Sequence, residues 1–132
     1  FLSDFHLYVE TPSTFQHEIE KVYDIRVVVV REKVFATAIH SQVFEETAVD
    51  WRLGDLKQLQ LHHERILLPK ALEAKCRNLV DFFSLGYSSM DFVRGQDGAY
   101  QFLELNPNGQ WAWIEQLVGY PIRDAIIDAL TE

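Results

Sequence analysis

The sequence reads as an α+β domain in which helices flank a mostly antiparallel sheet. Ile25–Val30 is β-branched except for Arg26, and a second apolar run begins at Val34. So short a connection leaves only antiparallel pairing. Asp97–Gly98 stands between two further apolar runs, a strong short-range hairpin signal. Two stretches, Leu72 to Phe83 and Ile122 to Leu130, instead repeat their apolar residues at helical spacing. Strands, then a helix, then a hairpin, then helices suit helices packed on a sheet.

Taken in order, residues 1–13 form a poorly assigned arm, for which a short helix and an extended segment fit equally well. Phe15–Ile19 is a brief strand. Ile25–Val30 is a strand buried on both faces, and Arg31–Glu32–Lys33 turns it into a second strand, Val34–Gln42. That turn lacks the Gly or Asn a primed turn prefers. A third strand is expected within Glu45–Arg52. From Leu53 to Leu68 the pattern is least readable, although Leu59–His62 alternates as an edge strand does. Pro69 opens a helix whose stripe is Leu72, Cys76, Leu79, Val80 and Phe83, with Gly86 as its stop. The hairpin follows. Trp111–Val118 is a short helix closed by Gly119, and Pro121 opens the last helix.

At 132 residues the chain is one domain's worth, with 48% apolar and 24% charged residues. A net charge of −8 argues against general nucleic-acid binding, which depends on neutralising phosphates, but leaves a nucleotide site open. The single cysteine, Cys76, excludes an internal disulfide framework and a cysteine-based zinc site. It falls on an apolar stripe, where a thiol is inert core. No apolar run reaches membrane-spanning length and no secretory signal is present, so a cytoplasmic protein is expected. The chain opens on Phe1 rather than methionine, which points to a piece of a longer protein.

The hairpin holds the main constellation. With Asp97 and Gly98 as turn residues, Gln96 pairs with Ala99 and Asp91 stands opposite Glu104, with Asn106 on the same face. Opposed carboxylates repel unless a proton or a cation separates them. Two carboxylates and an amide oxygen are hard donors of the kind Mg²⁺ takes. Phe92, Val93, Phe102, Leu103 and Leu105 make both strands look internal, so their acids need a reason to be there. Pro107 keeps Asn106 extended.

Arg26, alone in its apolar strand, suits phosphate or carboxylate through its donor fork; snorkelling out, or pairing with Asp24, is the alternative. Arg52, in Asp50–Trp51–Arg52, is an anion contact or one half of a surface stack. Phe15–Ile19 is a plain connecting strand or a segment bordering a ring. No two of the five histidines fall at i, i+4 on a predicted helix beside an acid, so a zinc site is not expected, and His62–His63 is assigned to a solvated face. Trp111 and Trp113 pack the last helices or reach the rim of the site. Glycine-rich phosphate cradles are missing.

Asp91, Phe102–Pro107 and Tyr23–Val30 together resemble the C-terminal half of an ATP-grasp enzyme of the RimK-like branch. Phe15–Gln16, Val34–Ala36, Ser41–Gln42, Asp50–Arg52 and Asn106–Trp111 are most similar to the microviridin-type (graspetide) peptide ligases. The resemblance runs from about Thr14 to the C-terminus. It implies an ATP-dependent ligase that activates a carboxylate as an acyl phosphate for attack by an amine or hydroxyl, with a precursor peptide as substrate. It implies Mg²⁺ on Asp91, Glu104 and Asn106, two catalytic arginines, with Arg26 facing the phosphates and Arg52 a second basic position near the acceptor end, and an adenine border at Gln16, Glu18 and Ile19. Asp24 would be a ribose contact. Such chemistry is mostly positioning and charge neutralisation, which agrees with the missing side-chain nucleophile.

Relatives also carry an N-terminal substrate domain and a lid with a lysine and a phosphate loop. Residues 1–132 are therefore expected to be the C-terminal subdomain alone, unable to complete ligation. The alternatives are a non-catalytic nucleotide- or Mg²⁺-binding module derived from that fold, and a RimK- or glutathione-synthetase-like ligase for a small amino acid. Neither oligomeric state nor the acceptor is legible.

Overall fold

The computed structural model describes residues 20–43 and 61–132. Within them lie strands β1 (Lys21–Val30), β2 (Lys33–Ile39), β3 (His63–Ile66), β4 (Tyr87–Gly95) and β5 (Tyr100–Asn106). The helices are α1 (Lys70–Phe82), α2 (Ala112–Val118) and α3 (Ile122–Thr131). All four strand pairs are antiparallel, in the order β3-β2-β1-β4-β5. This is the α+β architecture expected.

The β-branched run becomes the central strand because it can be buried on both sides, and every residue from Asp24 to Val30 is buried. Ile25, Val27 and Val29 join Ala36, Met90 and Phe92 on one face, under Cys76 and Val80 of α1. Val28, Val30 and Phe35 pack on the other against Ile114 of α2 and Ile122 and Ala125 of α3. Fully burying one such aliphatic side chain stabilises by about 1.5–3 kcal/mol, so the sheet is fixed from both sides.

Several boundaries differ from expectation for identifiable reasons. Strand β2 stops at Ile39, and Ser41 turns inward, as part of a 3₁₀ turn, to donate to the carboxylate of Asp24. The edge strand lies just beyond Leu59–His62, at His63–Ile66, while Leu61 is buried against Ile39. Helix α1 ends before Gly86: Ser84 takes the positive φ of 54°, and Leu85 N–H donates to Val80 O at 3.0 Å. Gly86 instead accepts from Arg31 N–H at 3.0 Å, tying β4 to the β1–β2 turn. In that turn Arg31 itself adopts a φ of 55°, a conformation that a Cβ makes unfavourable. The expected strands at Phe15–Ile19 and within Glu45–Arg52 lie outside the described residues, as does the arm at 1–13.

The hairpin differs most usefully. Gly95 N–H donates to Ala99 O at 2.8 Å, so the loop is the three residues Gln96–Asp97–Gly98, with Gly98 at φ 86°. That moves the pairing one residue from expectation, to Arg94↔Tyr100 and Phe92↔Phe102. An irregularity between Asp91 and Phe92 then restores it, and Asp91 does face Glu104. Strand β4 is internal, but β5 is an edge strand among the described residues, with Phe102 50% and Leu103 40% exposed. Their exposure answers the earlier inference that both strands are internal.

Candidate active site

One rung of the sheet carries polar side chains across all five strands. Arg65 on β3 is opposite Thr37 on β2, Thr37 opposite Arg26 on β1, Arg26 opposite Asp91 on β4, and Asp91 opposite Glu104 on β5. Strand alternation puts all five on the face that carries α2 and α3. The next rung on that face, Phe35–Val28–Ser89–Asn106, begins the apolar ground on which those helices pack. The polar row therefore runs along the margin of the helix-covered half.

Arg26 and Asp91 form the centre of the row. Arg26 Nε donates to Asp91 Oδ1 at 2.6 Å and Nη2 to Oδ2 at 3.3 Å, with each residue 7% exposed. A buried pair in this two-pronged geometry is strongly directional. The Arg26 fork also reaches the Gln110 carbonyl at 3.5 Å, and its guanidinium lies 5.9 Å from the Trp113 ring centre. Arg26 is thus neither snorkelled nor paired with Asp24. Asp24 is buried and accepts instead from Lys21 Nζ at 3.0 Å and from Ser41 Oγ. Beside Arg26, the Thr37 hydroxyl is buried without a hydrogen-bond partner among the described residues.

Glu104 and Asn106 are both exposed on β5. Asn106 Oδ1 accepts from Asn108 N–H at 2.9 Å, folding the chain after Pro107 back on itself. That fold presses Gly109 onto β4, where an added Cβ would sit 1.7 Å from Ser89 Oγ. Tyr87 secures the same loop, its hydroxyl donating to Gly109 O at 2.5 Å, and burial pushes that phenol up to about 12. So Asn106–Gly109 is a tightly packed corner that carries Gln110 and Trp113 toward Arg26.

The structure thus brings together Arg26, Asp91 and Glu104 in one rung, with Asn106 one rung along. Asp24 lies on the same face of β1 as Arg26, held by its own partners. Gln16, Glu18, Ile19 and Arg52 lie outside the described residues. Position in the sequence does not mark Thr37, Ser89 or the Gln110 carbonyl as site residues, while for Trp113 the rim is one of the two placements expected. Thr37 had a signal, being the one hydroxyl among the apolar residues of β2. The donor set on the hairpin, two carboxylates and an amide oxygen, fits a hard cation.

No protein-family model matches the sequence, and no curated protein matches it. Solved structures do. A RiPP-associated ATP-grasp ligase from Chryseobacterium gregarium, in complex with ADP and a leader and core peptide, superposes with a TM-score of 0.81 at 29% identity. That match covers 88% of this chain and 35% of that one. The macrocyclase MdnC of Microcystis aeruginosa, bound to its precursor peptide MdnA, matches at 32% identity and a TM-score of 0.71, over 86% of this chain and 35% of its own. The ATP-grasp ligase PsnB, complexed with a phosphomimetic precursor variant, Mg and ADP, matches at 26% identity and a TM-score of 0.62, with 86% and 35% covered. The chain thus spans about 35% of the length of the ligases it matches, and its fold matches that part of RiPP ATP-grasp ligases.

Proposed function

We propose that this chain is the metal- and phosphate-holding part of an ATP-dependent ligase that joins a carboxylate to an amine or hydroxyl on a peptide. The observation that carries the proposal is the polar rung: a buried Arg26–Asp91 fork facing Glu104 across a hairpin, with Asn106 beside it. Likeness to ligases solved with ADP and precursor peptides supports the same reading.

In the reaction proposed, a substrate carboxylate oxygen attacks the γ-phosphorus of ATP, releasing ADP and leaving an acyl phosphate. An amine or hydroxyl then attacks that carbonyl, phosphate departs, and the attacking group gives up its proton. The chain's part is to position and neutralise charge. Asp91, Glu104 and Asn106 would hold Mg²⁺, which when bound offsets the charge of the ATP phosphates. Arg26 would turn its fork from Asp91 toward phosphate oxygens, and Arg52 is assigned as a second basic group near the acceptor end. Gln16, Glu18 and Ile19 are assigned to the adenine border and Asp24 to the ribose. Asp24 would have to loosen its hold on Lys21 or Ser41 to do so.

The test is ADP release from Mg-ATP by the complete gene product with candidate precursor peptides, with mass spectrometry to detect loss of one water per bond. Glu104→Gln should lower turnover roughly a hundredfold, as for loss of one group that stabilises transition-state charge. Unchanged turnover would sink the metal assignment. For residues 1–132 alone, weak or absent ATP binding is expected; submicromolar binding would show that the matched ligases' remaining length contributes little to the nucleotide site.

A further inference from the structure

On the face of the sheet opposite the polar rung, the geometry points to a separate transition-metal site formed by His40, His62 and Glu64. His40 N–H donates to His62 O at 3.0 Å, which fixes the two histidines side by side where the chain leaves β2 and returns to β3. Their rings stack with centres 5.1 Å apart. Glu64 lies between them, Oε1 3.1 Å from His40 Nε2 and Oε2 3.6 Å from His62 Nε2. One potential ligand atom from each residue lies within 4.8 Å of the others. Two ligands at bonding distance from one tetrahedral zinc ion stand about 3.4 Å apart. Small rotations of partly exposed side chains would therefore bring the three ligand atoms to bonding distance of one ion.

The donor chemistry separates this cluster from the hairpin. Two imidazole nitrogens and one carboxylate suit Zn²⁺ and its neighbours in the transition series, whereas the all-oxygen set of Asp91, Glu104 and Asn106 suits Mg²⁺. Three protein ligands would leave the zinc a position for water or an outside ligand. The tilted ring of Tyr23, 5.4 Å from His40, closes one side. The other neighbour, His63, points away: its Nδ1 is 2.7 Å from Leu61 O and its ring packs on Trp113 on the opposite face. A metal here would fasten together the two ends of the β2–β3 connection. Closing a long connection is where a clip gains most entropically. That connection carries Asp50–Trp51–Arg52, so the clip would tether the segment that carries Arg52.

The experiment is Zn²⁺ titration of chelator-treated protein in excess Mg²⁺ by calorimetry, repeated with Co²⁺ to read the ligand-field absorption of the bound ion. One ion per chain is expected, with a Co²⁺ spectrum of nitrogen and oxygen ligation. His62→Ala and Glu64→Gln, both at exposed side chains, should each weaken binding at least tenfold, while Glu104→Gln leaves it unchanged. The absence of saturable micromolar binding would overturn the site, leaving a surface hydrogen-bonded cluster only. Wild-type affinity in both His62→Ala and Glu64→Gln, or loss of binding in Glu104→Gln, would overturn it equally.

Discussion

Arg26 and Asp91 show how a residue pair that is expensive to bury can still be the fixed point of a site. Each ion brought out of water loses several kcal/mol of hydration, and their attraction offsets this only in good geometry with the other donors and acceptors satisfied. Here the fork makes two bonds to Asp91, and a third contact goes to the Gln110 carbonyl. Replacing Asp91 with Asn keeps the shape but removes the charge that faces the guanidinium. Urea unfolding of Asp91→Asn should show a loss of about 3–5 kcal/mol. The double variant Arg26→Met/Asp91→Leu should recover much of it, since a matched apolar pair leaves no buried charge behind. Losses that merely added would mean the two groups are not coupled. If the pair persists in place of an apolar one, its use is the proposed hand-over of Arg26 to phosphate rather than stability.

At the scale of elements, the β5–α2 corner sets where Gln110 and Trp113 stand. Gly109 passes so close to β4 that an added Cβ would meet Ser89 at both Oγ, 1.7 Å, and Cβ, 2.7 Å. Gly109→Ala should therefore lower stability by about 1–3 kcal/mol as the corner lifts, the range for overpacking. Ser89→Gly in the same chain removes both colliding atoms and should restore part of the loss; a melting curve for the pair that shows no restoration would place the strain elsewhere. The same hairpin shows how far sequence reasoning reaches. Asp97–Gly98 located the turn, and alternation located Asp91, Glu104 and Asn106 on one face. What alternation could not foresee was a three-residue loop and a compensating irregularity between Asp91 and Phe92, two errors of one residue that cancel. Edge position was equally hidden, because Phe102 and Leu103 read as buried by composition. Arg26 was legible as an anion-binding Arg, but its partner depended on β1 pairing with β4 across a long stretch of chain. The His40–Glu64 cluster escaped for a related reason: helical spacing was the criterion, and its residues stand on β3 and on the chain just beyond β2 and before β3.

For the molecule as a whole, two apolar layers enclose the sheet, and each buries a weak acid that must remain protonated. Cys76 sits in the layer under α1, where burial pushes its thiol up to about 11 from an ordinary value of 9.0. Tyr87 borders the layer under α2 and α3, its phenol pushed up to about 12 from 10.0 by burial, with Arg26 pulling slightly the other way. Tyr23 and Tyr120 are raised for the same leading reason. In each case the folded chain holds its proton more tightly than the unfolded chain does. Their contribution is then complete below the unfolded values, near 9.0 for Cys76 and 10.0 for Tyr87, and is lost as pH climbs through 11 and 12. With solvent screening discounted, Cys76 and Tyr87 each account for on the order of 1 kcal/mol. Urea midpoints measured at increasing alkaline pH should fall first where Cys76 titrates in the unfolded chain and more steeply once the tyrosines join. Cys76→Ala should lower the starting midpoint but flatten the first part of the decline, and Tyr87→Phe should flatten the second. A decline of unchanged shape in both variants would assign the alkaline loss to other groups. Because the two acids lie on opposite sides of one sheet, the transition should stay cooperative throughout, with near-ultraviolet and far-ultraviolet circular dichroism falling together.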